Sequence, residues 1–164
     1  MNRTTGLPRR TMIAAALACA AGSRLAFGQT ASGSANRGEE PGMGEKTGMR
    51  IHFRFGTHVF TAVLEDNPSS RDLLSLLPAD LTIDDYSSNE KIAYLPRKLT
   101  EAGSGPFGNE AVGDLCYYAP WGNLAFFYAG YRYSRGLIRL GRLEGGTQPL
   151  LTRGKFPLRA ERLG

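Results

Sequence analysis

The stretch that decides the fold is MRIHFRFGTHVFTAVL, residues 49–64, in which apolar and polar side chains alternate on each side of Gly56-Thr57. Alternation with a period of two predicts a β-strand, and Gly-X between two such runs is typical of a type II′ hairpin turn. The ladder on the apolar face then pairs Phe55 with His58, Phe53 with Phe60, Ile51 with Ala62 and Met49 with Leu64. A slip of one residue would destroy this sorting, so the stretch predicts a hairpin with a fixed register.

Beyond the hairpin, the sequence predicts one short helix followed by short strands. Asn67 is a good N-cap, Pro68 suits the first helical position, and Pro78 follows the last turn of a leucine-rich stripe. Strands are predicted at 81–86, 91–95, 114–118, 124–128 and 136–145, with a glycine-rich loop at 97–113. Gly141 indicates a bulge in the last strand. Many short strands without βαβ alternation indicate an all-β barrel or sandwich.

The N-terminal 28 residues have the anatomy of a signal peptide. Arg9-Arg10 precedes an apolar run at 12–21, and Ala26-Phe27-Gly28 supplies the small residues that a signal peptidase needs. The arginine pair resembles a twin-arginine export signal, and a general secretory signal is the alternative. As a helix the apolar run would cover about 15 Å, well short of a membrane core of about 30 Å, so we expect no stable transmembrane span. Residues 29–48 read as a flexible linker, and the mature protein is expected in the periplasm or secreted.

The positive charge of the chain is concentrated in this leader. The formal net charge is +5, and residues 1–28 carry four arginines and no acid, which leaves 16 basic against 15 acidic residues from 29 onward. No aromatic-basic motif or helix-turn-helix pattern accompanies that balance, so the sequence argues against nucleic-acid binding. Cys19 lies in the leader, so cleavage leaves Cys116 as a single thiol without an intramolecular disulfide partner.

Three blocks in the second half of the chain carry a resemblance to a known family. They are Gly113-Asp114-Leu115-Cys116-Tyr117-Tyr118, Asn123-Leu124-Ala125-Phe126-Phe127-Tyr128 and Leu140-Gly141-Arg142-Leu143-Glu144-Gly145. Their order and spacing resemble the cyclophilin superfamily, in particular its bacterial cyclophilin-like members of unassigned function. The resemblance covers residues 49–145 and implies a closed eight-stranded barrel with one or two short helices. Residues 146–164 are set apart as a C-terminal tail, which either packs on the barrel or extends from it.

The chemistry of the family carries over poorly. Cyclophilin prolyl isomerases use an arginine in a His-Arg block followed by Phe-x-x-Gln-Gly-Gly, and this chain lacks that block. Arg97 is the candidate for the catalytic arginine. Phe126 matches the first aromatic residue of the family's Gln-Phe-Phe strand, although Ala125 stands at the Gln position. With Phe126, the expected ligand-binding residues are Phe107, Tyr118 and Trp121.

Three functions stay open at this point. The first is a non-catalytic module that binds a peptide or a small apolar ligand, and the alternative is a peptidyl-prolyl cis-trans isomerase of the cell envelope. The third is a structural domain that needs no small ligand. We expect no metal, because His52 and His58 have no cysteine or carboxylate cluster beside them. We expect no cofactor, because the glycine-rich stretch at 103–105 is too short to cradle a phosphate. The sequence leaves the oligomeric state undetermined.

Overall fold

The computed structural model describes residues 48–164, so the predicted leader and all of the predicted linker except Gly48 lie outside the described residues. The described residues form these elements: β1 (Arg50–Phe55), β2 (His58–Leu64), α1 (Pro68–Ser75), β3 (Ala79–Tyr86), β4 (Glu90–Tyr94), β5 (Asp114–Tyr118), β6 (Asn123–Phe127), β7 (Leu137–Glu144), a 3₁₀ turn (Gln148–Leu151) and β8 (Phe156–Leu163). The strands close into a barrel in the order β1-β2-β7-β5-β6-β4-β3-β8, with every pair antiparallel. The predicted eight-stranded all-β barrel is confirmed.

The first hairpin has the predicted register. Phe55 pairs with His58 and Phe53 with Phe60, and the turn places Gly56 at φ +52°. A positive φ at the first turn position is the one that glycine supplies without a steric cost. The Phe53 and Phe60 rings stack with 5.2 Å between centroids, so the apolar face of the hairpin becomes part of the barrel interior.

Helix α1 packs against β7, and its buried Leu73 joins the core of the barrel. The Asn67 side chain accepts a hydrogen bond from the Ser70 N–H at 2.8 Å, as an N-cap does, and the buried Ser70 hydroxyl donates to the Leu140 carbonyl at 2.9 Å. Leu73 is buried, whereas the other leucines of the predicted stripe are half-buried. Within residues 48–164, no helix is long and apolar enough to cross a membrane.

A bulge in β7 follows the prediction made at Gly141. Leu115 pairs with Gly141 and the next residue, Cys116, pairs with Arg139, so Leu140 is the extra residue of β7. A Cβ atom on Gly141 would stand 2.1 Å from the Val63 carbonyl oxygen. Glycine is required here because β2 approaches the bulged backbone too closely for any side chain.

The domain boundary predicted at residue 145 is wrong. Residues 156–163 form β8, which pairs with β1 on one side and with β3 on the other and thereby closes the barrel. Leu158 and Ala160 point into the core and are buried. Pro157 and the charged residues between these positions hide the alternation, so the segment reads as a tail although it is an integral strand.

A largely buried ion pair joins β3 and β4. Lys91 is fully buried, and its ammonium group donates to Asp85 Oδ1 at 2.6 Å and to the Gly154 carbonyl at 3.3 Å. The Gly154 N–H donates to Asp85 Oδ2 at 2.6 Å. Burial acts to raise the pKa of Asp85, but the hydrogen bonds from Lys91 and Gly154 and the nearby charges of Lys91 and Arg153 outweigh it and lower the pKa. The pair therefore fastens the segment before β8 to β3 and β4.

Candidate functional site

A groove of about 300 Å³ lies on the outer face of the barrel. Successive strand residues point to opposite faces, so β6 directs Leu124 and Phe126 inward, and directs Asn123, Ala125 and Phe127 toward the groove. The floor consists of apolar side chains from three strands: Ile92, Ala125, Phe127 and Leu137. A concave surface with an apolar floor and polar groups at its margins is a usual form of a small-ligand site.

Three aromatic side chains form one wall of the groove. Trp121, in the turn between β5 and β6, lies 5.3 Å from Tyr86 and 5.5 Å from Tyr118 between ring centroids. The interplanar angles are 88° and 79°, the edge-to-face arrangement that aromatic quadrupoles favour. Trp121 is 47% exposed and Tyr86 is 40% exposed. The contacts among the three rings hold this wall in place, and part of the ring surface remains exposed to solvent.

The opposite side of the groove is held by Tyr131, in the loop between β6 and β7. Its ring stacks on Phe127 with 3.7 Å between centroids and an interplanar angle of 7°. Its hydroxyl donates to Asp114 Oδ2 at 2.6 Å, and the fully buried Asp114 also accepts from Arg142 Nε at 2.6 Å. Burial and the hydrogen bond to Asp114 raise the pKa of Tyr131, so the phenol stays protonated. These contacts fix the position of Tyr131.

Glu90 and Asn123 are polar groups at the two ends of the groove. Burial raises the pKa of Glu90 to about 7. Asn123 Nδ2 donates to the Leu124 carbonyl at 3.0 Å, which orients the amide, while its Oδ1 is buried and has no hydrogen-bond partner among residues 48–164. Glu90 pairs with Phe127, four residues along β6 from Asn123, so the two groups are separated by about 13 Å of strand. The groove thus offers one titratable carboxyl, at the end formed by Glu90.

Cys116 lies under this surface and is chemically quiet. Its thiol is fully buried, with the Tyr131 hydroxyl 3.7 Å from Sγ. Burial is the largest effect on it and raises its pKa to about 12. Because the thiolate is the reactive form of cysteine, this residue contributes packing rather than nucleophilic chemistry.

The two histidines do not share a site. His52 lies on the outer face of β1, whereas the ring of His58 packs 5.2 Å from Phe55, and its Nε2 is 2.9 Å from Thr152 Oγ1. Among residues 48–164, no group of three or more His, Cys, Asp or Glu side chains is arranged to hold a metal ion.

Of the residues predicted for ligand binding, the structure brings two together. Tyr118 and Trp121 both line the groove. Phe107 lies elsewhere, within the 97–113 loop, with its ring 5.4 Å from that of Tyr133 and 5.0 Å from the guanidinium carbon of Arg139. It therefore belongs to a separate depression and not to the groove.

Phe126 and Arg97 are also outside the groove. Phe126 is fully buried in the barrel interior, where its ring meets Phe53 edge-on at 5.2 Å, so its assignment as a ligand-binding residue is corrected. Arg97 donates to Asp72 on α1 through Nη2 at 2.6 Å and Nη1 at 3.1 Å. It thereby ties the 97–113 loop to the helix and is not directed at the floor of the groove.

Most of the groove residues were not predicted for ligand binding, among them Tyr86, Glu90, Asn123 and Tyr131. The alternation of β6 was a signal for Asn123, since counting from the inward residues puts it on the same face as Phe127. Tyr86 pairs with Glu90 across the β3–β4 hairpin, and that register was not predicted. Tyr131 comes from a loop, where no periodicity indicates direction.

Comparison with known proteins supports a relationship over nearly the whole barrel. The model of the cyclophilin-like family matches residues 53–161, a span that runs from β1 into β8. The solution structure of a hypothetical protein from Archaeoglobus fulgidus is similar with a TM-score of 0.59 and 18% identity, over 74% of this chain and 100% of that chain. At that identity the likeness is one of fold. No curated protein matches the chain. Since the family model spans about two thirds of the sequence and ends inside the closing strand, the chain belongs to the cyclophilin-like family.

Proposed function

We propose that this protein is an exported binding module whose outer groove takes a peptide or a small apolar ligand. The observation that carries the proposal is the groove itself, in which the exposed rings of Tyr86 and Trp121 stand over an apolar floor. Large exposed aromatic surface beside a concavity is typical of recognition sites.

Export is the second part of the proposal and depends on the leader at residues 1–28. Cell fractionation followed by N-terminal sequencing tests it. We expect mature protein outside the cytoplasm that begins at Gln29. Recovery of cytosolic protein with Met1 intact would contradict export without affecting the groove.

Trp121 makes the groove directly measurable, because it is the only tryptophan of the chain. We expect a saturable change in its fluorescence when short extended peptides, with and without proline, or small apolar compounds are titrated into the full chain. Tyr118→Ala should weaken the response. Tyr94→Ala is the matched control, since Tyr94 is 55% exposed on β4 but does not line the groove. No response to any of these probes would refute the binding function.

The full chain and the Tyr118→Ala variant also test the prolyl isomerase alternative, in an assay of cis-trans exchange in an X-Pro peptide. Isomerase activity is favoured if the full chain accelerates the exchange and Tyr118→Ala abolishes the acceleration. Arg97→Ala is informative here, because Arg97 is bonded to Asp72 outside the groove. Loss of exchange activity in Arg97→Ala would support a catalytic role for Arg97. Peptide binding without acceleration of the exchange would support the non-catalytic binding module.

A further inference from the structure

Aromatic rings bound the groove in several directions. Tyr86 and Tyr118 each stand nearly perpendicular to Trp121, and Tyr131 lies on the other side, stacked on Phe127. The face of an aromatic ring carries negative potential, and several rings set at large angles around one space form the arrangement that binds organic cations.

A carboxyl group without a counter-charge lines the same groove. Glu90 pairs with Phe127 across the β4–β6 ladder, lines the groove, and forms no salt bridge with another residue of 48–164. Arg132 is the basic residue of the same lining, and its charge contributes to lowering the pKa of Glu110, after backbone hydrogen bonds. The Glu90 carboxyl is therefore open to a cationic group of a ligand.

We propose that the groove binds an alkylammonium group, with the aromatic rings around the cation and the Glu90 carboxylate as its counter-charge. The inference rests on the proposed function, that the groove is the ligand site, and adds the chemical class of the ligand. A volume of about 300 Å³ is at the small end for ligand sites, which suits one ammonium head group with a short apolar chain. Such a group comes from two sources, a free small amine or a lysine side chain of a peptide.

The test compares a cation with a neutral molecule of the same shape. Choline is titrated into the full chain at constant ionic strength while Trp121 fluorescence is recorded, beside the neutral compound in which a tert-butyl group replaces the trimethylammonium group. We expect choline to bind saturably and its neutral counterpart to bind at least about tenfold more weakly. A blocked tripeptide with a central lysine, set against the same peptide acetylated on that lysine, distinguishes the peptide source from the free amine.

Two variants assign the effect to the groove. Glu90→Gln should weaken choline binding by about tenfold or more and leave binding of the neutral compound unchanged. Tyr86→Leu should weaken choline binding, whereas Tyr94→Leu, a change of the same kind outside the groove, should not. Circular dichroism spectra of the variants confirm that each is folded.

The outcomes separate this inference from the proposed function. The alkylammonium inference is overturned if choline and its neutral counterpart bind equally, or if choline binding is unchanged in Glu90→Gln. The groove would then be a site for apolar ligands. Binding of uncharged peptides with no response to either the small cation or the lysine peptide does the same. If no cation and no neutral probe binds, both the alkylammonium inference and the proposed binding function are overturned.

Discussion

The buried ion pair of Lys91 and Asp85 allows a quantitative test, because its two partners are buried to different degrees. The Lys91 side chain has no exposed surface, whereas that of Asp85 is 22% exposed. Lys91→Met keeps the apolar stem and leaves a carboxylate that still accepts the Gly154 N–H at 2.6 Å and lies 3.6 Å from Arg153. Asp85→Asn instead leaves a fully buried ammonium group without its counter-charge. The two variants break one interaction with unequal consequences.

The expected magnitudes follow from what each variant leaves behind. Asp85→Asn should lower the free energy of unfolding by about 3–5 kcal/mol, the usual cost of an unpaired buried charge. Lys91→Met should cost about 1–3 kcal/mol, since the remaining carboxylate is partly hydrated and keeps other partners. The double variant contains no unpaired buried charge and should be at least as stable as Asp85→Asn alone. The coupling free energy of the cycle should therefore be about 1–3 kcal/mol.

Urea unfolding of the full chain at pH 7 measures all four proteins. Asp80→Asn is the control, because the Asp80–Arg159 pair at 2.9 Å is exposed and should contribute little. The lowered pKa of Asp85 adds an acid-side check: its stabilising contribution is present above pH 3.8 and disappears as the pH falls through the folded-state pKa. The reasoning is refuted if Lys91→Met is as damaging as Asp85→Asn, or if the two effects simply add.

Three further outcomes are expected. Gly141→Ala should destabilise the barrel by about 3 kcal/mol or more in thermal unfolding, because its Cβ would stand 2.1 Å from a backbone oxygen, whereas Gly105→Ala meets open space and should be nearly neutral. Because the pKa of Glu90 is raised by burial, the native chain should lose about 1–3 kcal/mol of stability as the pH rises from 4.5 to about 7, and Glu90→Gln should not. The variant should therefore have the higher urea midpoint at pH 8 but not at pH 4. A chain that stops at Gly145 lacks β8 and should show no cooperative unfolding; a sharp transition would contradict the role given to that strand.

Local patterns predicted the parts of the fold that local physics determines. The register of the first hairpin follows from alternation and one glycine turn, and the helix cap at Asn67 follows from side-chain chemistry. β8 escaped prediction because its partners lie far away in sequence, so its inward residues, Leu158 and Ala160, are meaningful only once β1 and β3 are in place.

Only part of the candidate site could be predicted from the sequence. Tyr118 and Trp121 were found because amphipathic aromatic residues near a turn indicate a surface. Phe126 was misassigned because the family resemblance aligns a sequence position, whereas the parity of β6 decides which face a side chain takes. Glu90 was missed because its desolvation is produced by side chains from other elements, and a sequence gives no measure of that.

The closing role of β8 sets an order of events during synthesis. β1 is made first, yet one of its edges and one edge of β3 stay without a partner until residue 163 has left the ribosome. An unpaired strand edge invites pairing with other chains, so the nascent protein stays in an aggregation-prone form until β8 has been made. A chaperone acting on it has to protect these two edges until residues 156–163 can pair, after which the barrel is sealed.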